Sequence, residues 1–428
     1  MVEVCRTAIL RYRLRDLPSE AVEKLRWILS LYKRVYVHLF WCRRLEIEPD
    51  SEVVKLMQAL PCYFRRCLDP GSPMYVFKHV PANVKRTRVK PVLRLDCKVL
   101  TRSDRRDIGY AASIDLVRNV VKIRGLLPRK ALELPFGRDF KRWVRDVLST
   151  AQGKVRFTIV PVLRDDKLEL HVTACQEVDP PNFIENPRQG RYVYLLVDVN
   201  SLYGIKTMFV LVDFDRRIVK LLSEPRYKPP SHRARRLYAS HIQRLLKRLS
   251  NIYAIDGRKA AIWRFLYRQT LRKIRRVNRD FVNKTIHDIV TKLLRYSEKH
   301  SATPLVLIDK PDYESLHGDP ILQQTLLRFV RLLENRLLWC GVAYREDIAC
   351  SRRCFNCGQD MKLLEKTGRT RVYICNRCGI AIDRDQNACI NLLLKYTNAS
   401  FTKEHFLKLF QNTSAGNVAP CGLNPRSP

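Results

Sequence analysis

The chain has 428 residues, 46% of them hydrophobic and 9% aromatic, which supports two or three folded domains and excludes a largely disordered protein. Its 80 Lys and Arg outnumber its 42 Asp and Glu to leave a net charge of +38, so self-repulsion would oppose compactness without a polyanion, and nucleic acid leads an anionic membrane surface as partner. No stretch approaches the ~18–20 apolar residues of a membrane span, and residues 1–30 lack a signal peptide's apolar core and cleavage site.

Weak alternation predicts a first strand from Val4 to Tyr12. From Ser19, a plausible N-cap, Val22, Leu25, Ile28, Leu29 and Tyr32 recur at helical steps, and the pattern runs to about Leu68 before Asp69-Pro-Gly-Ser-Pro73 ends it. Residues 85–107 are a basic run, and strand-like segments return at 109–124 and 153–177. This first part reads as a small β-barrel or sandwich with a helical insertion. Asp179 to Gly190 is the best linker in the chain.

Beyond the linker, Tyr192 to Asp198 is a continuous apolar run ending in a carboxylate, as a strand buried on both faces reads. Thr207–Asp213 and Arg217–Leu222 are two more strands, and Pro225 to Pro230 breaks the pattern. A long basic helical hairpin follows from about Arg233 to Lys299, interrupted near Asp256-Gly257. Its second arm carries an apolar stripe through Ile274, Val277, Phe281 and Ile289, while Arg272, Arg275, Arg276 and Arg279 crowd the other faces as a track for a nucleic-acid backbone. Pro304–Asp309 is the next strand, followed by a helix over 320–339, a strand near Val342–Arg345, and a final helix to about Tyr396. Residues 401–428 form a C-terminal tail expected to be largely disordered.

Inserted before that final helix are Cys354-Phe-Asn-Cys357 and Cys375-Asn-Arg-Cys378, with seventeen residues between the two pairs. Two such knuckles bring four thiolates around one tetrahedral Zn²⁺, and four sulfurs leave no open position, so the metal is structural. Gly358 and Gly379 follow the second cysteine of each knuckle, where the backbone turns sharply. Lys362 and Arg371 between the knuckles are candidate nucleic-acid contacts. The other ten of the 14 cysteines, Cys5 and Cys175 among them, have no framework spacing and are expected as reduced thiols in a cytosol.

Three strands in a meander, a helical connection, a fourth strand, a helix, a fifth strand and a closing helix is the element order of an RNase H-like fold. Asp198 ends its first strand, Asp309 its fourth, and Asp385 opens its last helix. The first and fourth strands of such a sheet are neighbours, so the three acids are expected at one edge, where divalent cations offset their repulsion. Two ions about 4 Å apart would activate water and stabilise the leaving oxygen of a phosphodiester. Asp383 is expected to cap the helix. Acids at strand ends also occur without a metal to hold.

Leu196-Val-Asp198-Val-Asn200, Leu307-Ile-Asp309, the four-cysteine ribbon and Asp383-Arg-Asp385-Gln-Asn387-Ala resemble, in that order, the TnpB proteins of insertion-sequence transposons, relatives of the type V CRISPR effectors. The resemblance covers roughly residues 105–400. It implies an α+β multidomain protein: a wedge β-barrel (1–18 and 108–180), a helical recognition insert (19–107), a RuvC-like nuclease domain (190–349 and 379–400) and a zinc ribbon (350–378). It implies an RNA-guided DNA endonuclease with Asp198, Asp309 and Asp385 as catalytic ligands of two Mg²⁺ or Mn²⁺, one structural Zn²⁺ on Cys354, Cys357, Cys375 and Cys378, a guide RNA from the transposon end, double-stranded target DNA, no membrane, and a monomer in a prokaryotic cytosol. The family's middle acid is usually Glu. Asp309 is one methylene shorter, retracting its oxygens by roughly 1.5 Å, and Glu314 five residues on is the second choice. A nuclease-weak RNA-guided DNA-binding protein is therefore the alternative, and a zinc-ribbon transposase acting on transposon ends is a third.

Overall fold

The computed structural model of the protein describes residues 1–45, 48–59, 93–101, 110–200, 204–230, 233–250, 257–309, 320–366, 371–397 and 400–414. They form a mixed α/β protein of two compact units, divided between Asp179 and Pro180. The predicted turn at residues 69–73, most of the basic run and Glu314 lie outside the described residues.

In the first unit β1 (Val2–Arg13), β2 (Leu95–Leu100), β3 (Ala112–Asp115), β4 (Val120–Ile123), β5 (Leu132–Pro135), β6 (Arg156–Arg164) and β7 (Lys167–Val178) build a seven-stranded sheet in the order β1-β7-β6-β2-β3-β4-β5. The long helical segment divides into α1 (Ser19–Leu45) and α2 (Ser51–Ala59). A helix unforeseen from the sequence, α3 (Arg138–Ser149), buries Phe140, Val144 and Val147, which recur at steps of four and three residues along one face. Cys5 and Cys175 are register partners across β1 and β7, with Cα atoms 4.2 Å apart, and are joined as a disulfide. The expectation of reduced thiols is corrected for this pair: the antiparallel register places them opposite one another although 170 residues separate them in the chain.

The second unit is built on β8 (Arg191–Asn200), β9 (Gly204–Asp213), β10 (Ile218–Ser223), β11 (Arg226–Tyr227), β12 (Thr303–Asp309) and β13 (Ala343–Asp347), in the order β10-β9-β8-β12-β13 with β11 also paired to β9. The first three strands are an antiparallel meander, and β8, β12 and β13 run parallel. Crossovers from β10 to β12 and from β12 to β13 pass through α4 (Arg233–Ser250) with α5 (Gly257–His300), and through α6 (Pro320–Trp339). Helix α7 (Arg384–Thr397) closes the order.

Helices cover both faces of this sheet, so its central strands are apolar throughout. Side chains alternate along β8. Tyr194 and Leu196 join a buried cluster with Cys389, Ile390 and Leu392 of α7, while Phe209 on the opposite face of β9 packs edge-on against Tyr296 of α5, ring centroids 5.4 Å apart. Asp198 shares the α7 face, two and four residues beyond Leu196 and Tyr194. Strands β14 (Lys362–Lys366), β15 (Arg371–Ile374) and β16 (Ala381–Asp383) form a separate three-stranded sheet, whose Ile382 packs into the same core. Residues 400–414 are helix α8 (Ser400–Ser414), not the disordered tail expected there: Phe406 is fully buried in that core, and its burial holds the helix down. Among the described residues no helix is long and apolar enough to cross a membrane.

Candidate acid cluster and cysteine centre

A row of charged residues crosses the second sheet. Reading through the register partners, Arg226 on β11 lies beside Lys206 on β9, Lys206 beside Asp198 on β8, Asp198 beside Asp309 on β12, and Asp309 beside Asp347 on β13. Residues in register share a face, so two cations and three carboxylates stand side by side. Lys206 turns to Glu224, its Nζ 3.2 Å from Oε2. Asp347 is taken up by Lys395 and by the Tyr396 hydroxyl at 2.5 Å. Asp198 and Asp309 remain facing the start of α7.

Asp385 stands in the first turn of α7, 3% exposed. Its position follows from the cap: Oδ1 of Asp383 accepts a hydrogen bond from the Asp385 backbone N–H at 2.8 Å, as expected from the sequence. Asp383 is also the last residue of β16, so the cysteine-bearing sheet and the helix carrying Asp385 meet at one residue. Burial, then the charges of Asp385 and Asp309, push the Asp198 carboxyl well above the usual carboxylate range, against the pull of Arg384. Burial likewise lifts Asp309 to about 6, although the Ala349 N–H donates to its Oδ1 at 2.8 Å. Burial and like charge raise Asp198 and Asp309 together, and carboxylate oxygens are the donors that hard divalent cations take.

Sequence reasoning missed Arg226. It lies within the Pro225–Pro230 segment read as a break, and nothing near it in the chain marks it. Its Nη1 donates to Asp385 Oδ2 at 2.6 Å and its Nη2 to Asp383 at 3.1 Å. Arg371, read as a nucleic-acid contact, places Nη2 3.7 Å from the other Asp385 oxygen. Arg272, Arg275 and Arg276 are exposed on α5, Arg279 is half-buried, and Lys362 is exposed on β14.

The four knuckle cysteines place their sulfurs within 4.8 Å of one another, as a set that can hold a metal ion. Each knuckle closes by a backbone bond, Gly358 N–H to the Cys354 carbonyl at 2.9 Å and Gly379 N–H to the Cys375 carbonyl at 2.8 Å. Sulfurs on a tetrahedral ion with ~2.3 Å bonds lie roughly 3.8 Å apart, and Cys357 and Cys375 are at 3.5 Å. The Asn356 amide donates to Cys378 Sγ at 3.3 Å, while burial and the neighbouring cysteines hold that thiol above its ordinary range.

Asn387 ties this centre to α7. Fully buried, it donates to the Ser351 carbonyl at 3.0 Å and the Arg353 carbonyl at 2.7 Å, and accepts from the Phe355 N–H at 3.3 Å. Asn391 also serves the Arg353 carbonyl, at 2.8 Å. Asn387→Ala therefore strands the Ser351 carbonyl and the Phe355 N–H, and should lower stability by about 3 kcal/mol in urea unfolding. A loss below about 1 kcal/mol would show that water replaces the amide.

Residues 328–392 match the family model of the Cas12f1-like TNB domain. No curated protein matches the chain. Among solved structures it is similar to CasPhi-2 (Cas12j) bound to crRNA and phosphorothioate-DNA, at 10% identity and TM-score 0.37, covering 93% of this chain and 92% of that one. It is also similar to CasPhi-2 bound to crRNA, at 11% identity and TM-score 0.33, over 65% of this chain and 66% of that one. A third similarity is to the mini-RNA-guided endonuclease CRISPR-Cas_phi3, at 10% identity and TM-score 0.35, over 65% of this chain and 57% of that one.

Proposed function

We propose, from the premise that this chain is a relative of the TnpB proteins and the type V CRISPR effectors, that it is an RNA-guided DNA endonuclease with a single RuvC-like site. The observation that carries this reading is the pairing of Asp198 with Asp309 across two parallel strands, with Asp385 close enough to Asp198 to raise its pKa. Asp198, Asp309 and Asp385 would hold Mg²⁺ or Mn²⁺, and ions bound there would supply the Lewis acidity for phosphodiester hydrolysis. The sheet and the cap at Asp383 hold the three carboxylates on rigid elements. Burial keeps water from screening them. Cys354, Cys357, Cys375 and Cys378 would hold one structural Zn²⁺. The exposed arginines of α5 and Lys362 would meet phosphates of the guide RNA or the target DNA, in a monomer working in a prokaryotic cytosol.

The alternative is an RNA-guided DNA-binding protein with a weak nuclease. It is favoured by the shorter Asp309, one of whose oxygens is already engaged by the Ala349 amide.

The test is to purify the protein with its RNA, sequence that RNA, and offer DNA matching it in Mn²⁺. Cleavage that follows a changed guide is the expected result. Target binding without cutting in Mg²⁺ or Mn²⁺ selects the alternative, and absence of a defined RNA sinks both.

The pH dependence has a fixed sign. The folded-state pKa values of Asp309 and Asp198 lie above the unfolded value near 3.8. Without metal, the stability associated with their protonated forms is fully present below about pH 4 and is lost as pH rises through the folded values, near 6 for Asp309. Metal ligation needs the deprotonated forms, so stabilisation by Mn²⁺ should be small at pH 5 and grow toward pH 7. Thermal unfolding at the two pH values with and without Mn²⁺ checks this; an equal shift at both removes protonation from the account.

A further inference from the structure

Both oxygens of Asp385 face guanidinium groups: Oδ2 accepts from Arg226 at 2.6 Å, and Oδ1 lies 3.7 Å from Arg371. Arg226 is held from a second side by Asp383, and it reaches the cluster from a two-residue strand. That strand is placed by β9. A Cβ on Gly204 would come within 2.3 Å of the Tyr227 carbonyl oxygen, and Gly204 sits at φ +89, so only glycine lets β11 pass this close. The backbone is thus arranged to deliver one guanidinium between Asp383 and Asp385.

We propose that Arg226 is the resident counter-cation of the acid cluster and competes with a divalent ion for Asp385, so that metal loading requires the Arg226–Asp385 bond to open. The inference rests on the nuclease reading above. A charge-assisted hydrogen bond between two groups this buried is among the stronger contacts available to a side chain, and the same oxygen cannot direct the same lone pair at an N–H and at a metal. Lys206, the other cation of the row, is engaged with Glu224 and takes no part in this competition as the side chains stand. Arg226 is therefore a positioning residue: it acts on Asp385 and sets how readily the site fills.

The competition predicts a direction opposite to that of a supporting residue. The measurement is Mn²⁺ binding to the full-length protein, dialysed free of loosely bound divalent ions, with free Mn²⁺ followed by electron paramagnetic resonance. The relevant part is that abolished by Asp385→Asn, which separates the acid cluster from Mn²⁺ held on any copurifying RNA. Arg226→Gln should tighten it about tenfold, the scale of one lost charge-assisted bond. Asp383→Asn is the second variant. Asn caps a helix as Asp does, so α7 keeps its start while the hold on Arg226 weakens, and binding should tighten in the same sense. Arg226→Lys keeps the charge but loses the fork that spans two carboxylates, and should fall between wild type and Arg226→Gln. Unchanged or weaker binding in Arg226→Gln and Asp383→Asn overturns the inference and leaves the nuclease reading in place, with Arg226 as a support for Asp385. If wild-type protein has no Asp385-dependent Mn²⁺ binding, the metal-site reading fails and the inference fails with it.

Discussion

Asp198→Ala and Asp385→Ala should each lower guided DNA cleavage by on the order of 10³-fold or more, because each would remove a ligand from the proposed catalytic ions, and such ions contribute several kcal/mol to transition-state stabilisation. Binding of the copurifying RNA should survive both changes, since Asp198 and Asp385 are 7% and 3% exposed and offer little surface to a nucleic acid. Asp309 gives the sharper comparison. It is the in-register neighbour of Asp198, so Asp309→Ala should be as severe as the other two, and Glu314→Ala should be mild. Asp309→Glu restores the length usual in the resembled family and should leave activity intact or raise it. Single-turnover cleavage at saturating Mn²⁺ makes the measurement. Wild-type rates in Asp309→Ala with a dead Glu314→Ala would move the third ligand off β12. All three variants cutting normally would remove the cluster from catalysis altogether.

Cys375→Ser is the second large effect expected, and it should reach beyond the cysteine centre. Cys375 is fully buried, and serine neither ligates zinc well nor finds a partner in an apolar core. Structural zinc contributes on the order of 10 kcal/mol in isolated zinc-binding peptides. Here Phe355, Met361, Ile380 and Ile382 of the same region pack into the core beneath the sheet, which retains part of the structure. A loss of several kcal/mol remains, corresponding to roughly 10 °C in Tm. Elemental analysis should fall from one zinc per chain in wild type to well below half. Because Asp383 ends the ribbon strand and caps α7, the same variant should weaken Mn²⁺ binding at Asp385. One zinc per chain in Cys375→Ser, or an unmoved Tm, would show that the four sulfurs are a thiol cluster without a structural ion.

Much of the candidate site is legible in the chain because its signals are local. Two Cys-x-x-Cys knuckles depend on tight turns, and the four sulfurs do converge. Asp198 and Asp309 end apolar runs that suit a sheet covered on both faces, and those two strands are parallel neighbours. Asp383 caps the helix for a reason confined to two residues. Tertiary structure alone decided the rest. Arg226 meets Asp385 across 159 residues, from a strand too short to show any period, and its charge is lost among 80 basic residues. The Cys5–Cys175 pairing depends on the register of two strands that the chain visits 170 residues apart. Helix α8 is held in place by Phe406 buried in the core, a contact that composition cannot report. Arg371 faces Asp385 because its strand lies in the same small sheet as Asp383, beside the start of α7. Spacing along the chain determines which residues can form a turn, a cap or a strand end; which charges neutralise one another is settled only when distant strands come into register, because that energy depends on distance and burial in space.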